Sequence, residues 1–140
     1  MTQPCTKGKS VLIVEDEPLI CRVCQKVLVS EGFDVDIAEN GTIAKTMVGL
    51  KHYDICFSDI RTPQMNGIEL YYYFAGEYPE LAKGTIFTTG DVLSNKIKQF
   101  LAESNQPFLS KPFTPNELRS VVKKAVDQWE QEAGHVIQKT

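Results

Sequence analysis

Three short runs constrain this chain more than anything else in it: "VLIV" at 11–14, "YDICFSD" at 53–59 and "GTIFTTGD" at 84–91. The first is apolar without alternation and rich in β-branched residues, as a strand buried on both faces must be. The others are apolar strand-like runs that finish in a carboxylate. Strands of this type belong to a parallel sheet covered by helices on both sides, because a half-exposed antiparallel sheet reads as alternating apolar and polar residues.

The segments between them carry the helical half of that pattern. In "EPLICRVCQKVLVSE" (17–31), Leu19, Ile20, Val23, Val27 and Leu28 recur near a 3.6 period, with Pro18 in the first turn and Gly32 past the end. "FDVDIA" (33–38) alternates as a strand, and "NGTIAKTMVGLK" (40–51) follows as a helix. "GIELYYYFAGEY" (67–78) is helical, with Pro79 beyond it as a stop; its four successive aromatics, 71–74, cannot all face one core. A helix over about 93–104 precedes a short fifth strand, "PFLSK" (107–111). The last helix opens at Thr114 with Thr-Pro-Asn-Glu, a capping box closed by Glu117, and is expected to run through Trp129 toward Gly134. Five βα units follow from this, hence an α/β fold with a doubly wound parallel sheet.

Length and composition admit one domain of 140 residues. A net charge of −3 offers no basic excess for this chain to bind nucleic acid by itself. No apolar run approaches the roughly 20 residues a bilayer span needs, and no signal peptide is visible, so no membrane role is expected. Cys21-Arg-Val-Cys24 matches C-x-x-C, yet it falls several residues inside a helix, whereas redox sites place that motif at a helix start. Cys5, Cys21, Cys24 and Cys56 instead suit a reduced, cytoplasmic protein.

The strand ends hold the chemistry. Glu15 and Asp16 end strand 1 and Asp59 ends strand 3. A strand order of 2-1-3-4-5 makes strands 1 and 3 neighbours, so the three carboxylates would converge. Carboxylates about 4 Å apart repel by several kcal/mol at an effective dielectric near 20, so they must share protons or hold a cation, and Mg²⁺ suits an all-oxygen set with room for water. Strand 4 adds hydroxyls at Thr88 and Thr89, and strand 5 adds the ammonium of Lys111. Acids, metal, hydroxyl and lysine together suit a phosphoryl group carried on a carboxylate.

Over residues 10 to about 127 the chain resembles the CheY-like receiver domain of two-component response regulators, a flavodoxin-like fold. "VLIVEDEP", "DIRTPQMNGIEL", "FTTGD" and "FLSKPF" carry the resemblance in order and register. It implies that Asp59 is the phosphoacceptor, charged by a histidine kinase or a histidine phosphotransfer domain. It implies that Glu15, Asp16, Asp59 and the backbone carbonyl of Arg61 hold Mg²⁺, and that Lys111 contacts the phosphate. Successive strand residues face opposite ways, and the family register chooses Thr89 over Thr88 as the switch hydroxyl. Phe108 becomes the aromatic whose rotamer follows the switch, and Lys111–Pro112 a cis peptide. The output would be a repacked surface of the fourth helix, fifth strand and last helix, open to a partner or to a homodimer.

Residues 1–9 read as a lead-in and 128–140 as an extension of the last helix with a tail. The chain is thus expected to be a stand-alone receiver or one excised from a longer protein, and the run from "FTTGD" to "VVKKAV" resembles receivers of hybrid histidine kinases. Arg61 and Asp91, two residues beyond Asp59 and Thr89, would pair across the mouth and limit attacking water. Two rivals stand beside this reading. A phosphatase with an aspartyl-phosphate intermediate would need an aspartate where Arg61 stands, and a cap region. A binding-only pseudo-receiver would usually lack an acid or the lysine.

Overall fold

The structure, a computed structural model, describes residues 9–62, 64–90 and 94–139, with side chains as far as Glu132. The elements alternate as the apolar runs require. Strand β1 (Ser10–Val14) leads to α1 (Pro18–Ser30), β2 (Asp34–Ala38) to α2 (Gly41–Val48), and β3 (Ile55–Asp59) to α3 (Gly67–Glu77). A short α4 (Pro79–Lys83) precedes β4 (Thr85–Thr89), which is followed by α5 (Asn95–Ser104), β5 (Phe108–Ser110) and α6 (Pro115–Lys139). All strands are parallel, in the order β2-β1-β3-β4-β5. The expected topology is therefore the observed one.

The central strands are buried on both faces, and alternation sorts their side chains. Val11, Ile13, Ile55, Phe57 and Ile86 meet α1 and α6 through Cys24, Leu28, Leu118 and Val122. Leu12, Val14 and Cys56 face the other way, against Ala44, Leu70 and Phe74 of α2 and α3. A smaller cluster joins Ile60 and Phe87 to Ile97, Phe100 and Leu101 of α5. Of the four aromatics at 71–74, Phe74 is fully buried and Tyr72 is 56% exposed, the division one helix face imposes.

Two helices depart from the sequence expectation. Pro79 does not only end α3; it opens α4, since a missing N–H costs nothing in a first turn. The last helix passes Gly134 and continues to Lys139, because a glycine weakens a helix interior by about 1 kcal/mol without stopping it. Gly32, with φ of 99°, takes the left-handed turn after α1 that a side chain would strain. The capping box read at Thr114 is present: Glu117 N–H donates to Thr114 Oγ1 (3.1 Å) and Thr114 N–H to Glu117 Oε1 (2.8 Å). Among the described residues no helix is long and apolar enough to cross a membrane.

Candidate phosphoacceptor and metal site

The carboxyl ends of β1, β3, β4 and β5 meet at one rim. Val14 pairs with Ser58, Asp59 with Thr88, and Thr89 with Ser110, so the next residues along β1 and β5, Glu15 and Lys111, arrive beside Asp59. Glu15, Asp16 and Asp59 each offer a carboxylate oxygen within 4.8 Å of the others. Glu15 and Asp59 are 3% and 6% exposed, whereas Asp16 stands in solvent. Backbone bonds fix this placement: Glu15 N–H donates to Ala38 O (3.1 Å) and Ile60 N–H to Thr88 O (2.9 Å).

Lys111 occupies the middle of the cluster. Its Nζ lies 3.1 Å from Asp59 Oδ2, 3.0 Å from Glu15 Oε1 and 3.8 Å from Glu17 Oε1. One ammonium between two carboxylates drawn out of water offsets part of what each loses in hydration. Burial still pushes the Glu15 carboxyl above the ordinary carboxylate range, helped by the nearby Asp59 charge and opposed by Lys111. For Lys111 burial works against the charged form, but Glu15 and Asp59 outweigh it and hold the ammonium above its usual range. Lys111 reaches this position from a cis Lys111–Pro112 bond, as the resemblance implied. Gly90 lies alongside, where a Cβ would sit 4.0 Å from that of Lys111.

The donor set fits a small hard dication. It consists of oxygens only, with two buried acids and one that water reaches, as Mg²⁺ prefers. The loop after β3 is held in shape beside it. Thr62 Oγ1 donates to Met65 O (3.1 Å), Gln64 takes a left-handed φ of 62°, and Gly67 N–H donates to Ile60 O (2.9 Å). A Cβ on Gly67 would meet Asp59 O at 2.7 Å and Ile60 Cα at 2.8 Å, so α3 can start this close to the acceptor strand only with glycine. Asn66 and Glu69 close a capping box over that start, at 2.9 and 3.0 Å.

Thr88 and Thr89 are both buried. Phe87 faces α5, so alternation turns Thr88 toward the α1–α6 side and Thr89 back toward α5. Phe108 pairs with Phe87 and therefore shares that face, while Leu109 joins the α1–α6 core. Phe108 itself is 45% exposed. Arg61 is exposed beside an open cavity of about 500 Å³ that Asp16, Asn66, Ser94 and Lys96 also line. Asp91, its expected partner, lies outside the described residues. A cavity of similar size, about 520 Å³, opens at the opposite end of the sheet between 48–53 and 78–81 and gathers none of the strand-end groups.

Two contacts lay outside the sequence reading. Glu17 N–H donates to Glu15 Oε2 (3.2 Å), and the Cys21 thiol donates to Glu15 O (3.3 Å). Glu17 sits in the conspicuous acidic knot; nothing in the sequence marks Cys21 as a brace for Glu15. Burial pushes the Cys21 thiol up to about 11 and that of Cys24 to about 12, so both remain protonated at neutral pH and lack the thiolate that redox chemistry uses.

A doubly wound five-stranded sheet with an acid–lysine rim defines a class, the CheY-like receiver. The chain belongs to the response regulator receiver domain family, which it matches over residues 11–123. It superposes on a CheY-like receiver domain protein from Methanospirillum hungatei with a TM-score of 0.79 and 26% identity, covering 89% of this chain and 98% of that one. The signal receiver domain of a signal transduction histidine kinase from Syntrophus aciditrophicus gives 0.76 and 26%, over 86% and 92%. In sequence it is 32% identical to the aerobic respiration control sensor protein ArcB of Escherichia coli over 128 residues, which is 91% of this chain and 16% of that protein. It is 31% identical to a protein of Porphyra purpurea described as a probable transcriptional regulator, ycf29, over 84% of this chain and 56% of that protein. The chain thus spans about half, or much less, of the curated relatives it matches.

Proposed function

We propose that this chain is a phosphoacceptor receiver that takes a phosphoryl group on Asp59 from a phosphohistidine of a histidine kinase or phosphotransfer domain. The observation that carries the reading is the ammonium of Lys111 held 3.1 Å from Asp59 Oδ2 and 3.0 Å from Glu15 Oε1 in a buried pocket of acids. A lysine so placed shields the nucleophile from its acidic neighbours and meets the incoming phosphoryl oxygens. An Asp59 carboxylate oxygen forms a bond to phosphorus, the N–P bond to the donor imidazole breaks, and the imidazole keeps the electron pair. Glu15, Asp16, Asp59 and the Arg61 carbonyl would hold Mg²⁺, which when bound neutralises charge on the transferring oxygens.

Thr89 then donates to a phosphoryl oxygen, and the space beside it admits Phe108 from its exposed position. The α5–β5–α6 surface changes with it and becomes available to a partner or a second copy. The receiver occupies 10–127, after a lead-in of 1–9 and before an extension of the last helix and a tail over 128–140, in a cytoplasmic protein that does not bind nucleic acid through this chain.

Incubation with acetyl phosphate and Mg²⁺, then borohydride reduction and peptide mapping, tests the assignment at residue level. Asp59 alone should appear as homoserine. Homoserine elsewhere, or none, would remove it; steady turnover of a general phosphate ester would favour the phosphatase instead.

A further inference from the structure

Four aromatic rings on three elements form a closed group beneath the rim. Tyr71 of α3 meets Phe87 of β4 at 5.7 Å and Phe100 of α5 at 5.6 Å between centroids, both edge-on. Phe87 and Phe100 stand 5.1 Å apart, and Tyr72 touches both Tyr71 (5.6 Å) and Phe100 (5.9 Å). Edge-to-face pairs at these separations attract beyond the area they bury.

The elements so joined matter. Helix α5 is attached to the body by side chains: Ile97, Phe100 and Leu101 against Ile60 and Phe87, with Ile68 and Tyr71 alongside. Two of those attachments come from α3, on the far side of the loop that follows Asp59. Phe87 sits one residue before Thr88, pairs with Ser58 next to Asp59, and pairs with Phe108 across β4–β5. Phe108 shares its face, so a ring turning inward there comes against Phe87, which Phe100 covers in turn. Phe87 is fully buried and Phe100 nearly so, and rings packed this closely make room for another only by moving.

We propose that the Tyr71–Tyr72 pair of α3 is a latch on α5, which opposes entry of Phe108 and sets how readily the domain adopts its phosphorylated conformation. The latch rests on the phosphoacceptor reading for its consequence, but its grip on α5 is a property of the resting protein. A ligand shifts a two-state element only by its differential affinity. Weakening the resting state by one ring contact should therefore raise affinity for a phosphoryl analogue by the same factor, roughly three- to tenfold for an edge-to-face pair.

The test uses Tyr72→Ala, whose exposed ring can be removed without opening the core, with Tyr72→Phe as the ring-preserving control. Hydrogen exchange of the α5 amides, 95–104, is measured without ligand, and beryllofluoride affinity is measured with Mg²⁺ present. The proposal expects Tyr72→Ala to speed α5 exchange and tighten beryllofluoride binding, each about three- to tenfold, with Tyr72→Phe unchanged. Unaltered α5 exchange overturns the latch whatever the site does. Faster exchange with unaltered affinity reduces the rings to a structural brace and overturns their role in switching. A wild-type protein that binds no beryllofluoride although its α5 exchange responds to Tyr72→Ala would defeat the phosphoacceptor reading, and the switching role with it. An effect of Tyr72→Phe equal to that of Tyr72→Ala would assign the grip to the hydroxyl and overturn the ring mechanism.

Discussion

Lys111 carries the electrostatic balance of the rim, since its Nζ stands between Glu15 and Asp59 with little access to water. Replacing it by methionine keeps the stem and deletes the charge, leaving two buried carboxylates facing each other. Breaking a buried charge pair costs about 3–5 kcal/mol, here moderated by proton uptake at Glu15, whose carboxyl is already pushed upward. Lys111→Met should melt markedly below wild type without Mg²⁺ and recover much of the difference when Mg²⁺ is added, as thermal denaturation at neutral pH would record. A variant equally stable with and without the ion would detach Lys111 from the acids. The acids and the lysine could be picked from sequence because each follows an apolar strand directly. The Glu15 braces, Cys21 and Glu17, could not, since a thiol bonding a carbonyl six residues back leaves no pattern.

Among the elements, the junction of β3 and α3 is packed backbone against backbone. Gly67 lies against the backbone of Asp59 and Ile60, so a methyl there has no flexible side chain to push aside. Gly67→Ala should cost about 1–3 kcal/mol by overpacking, measured by urea unfolding, and should slow phosphoryl acceptance by displacing Asp59. Full stability in this variant would mean the junction can open freely. The elements themselves were largely legible, because unalternating strands and 3.6-period helices leave few ways to arrange five βα units. What escaped was local. Pro79 carries a stop signal and a start signal at once, and only the packing of Leu81 and Ala82 against the α2–α3 core shows which followed. The length of α6 escaped too, because neither Gly134 nor the polar residues around it encode where that helix ends.

At the scale of the whole molecule the two ends of the sheet are electrically different. Opposite the rim, Asp36 accepts from Tyr53 Oη at 2.7 Å and pairs with Lys51 at 2.9 Å, tying the edge strand β2 to the start of β3. The Tyr53 bond, then Lys51, holds the Asp36 carboxyl below the usual range. A carboxyl whose folded value is depressed contributes stability that is complete above the unfolded value, about 3.9, and is lost as pH falls through the folded one. Asp36→Asn should therefore lower stability at pH 7, by less than about 1 kcal/mol for a group this open to solvent. The difference from wild type should close below about pH 4. A gap that persists at pH 2 would show that the contact is not ionic.

At the other end, intact mass reads phosphorylation of Asp59. Wild-type protein and Asp59→Asn would each be incubated with acetyl phosphate, with and without Mg²⁺. Wild type alone should gain the mass of one phosphoryl group, dependent on Mg²⁺ and removed by hydroxylamine. A folded, Mg²⁺-binding wild type that gains nothing, or an Asp59→Asn protein that gains as much, would rule Asp59 out as the phosphoacceptor.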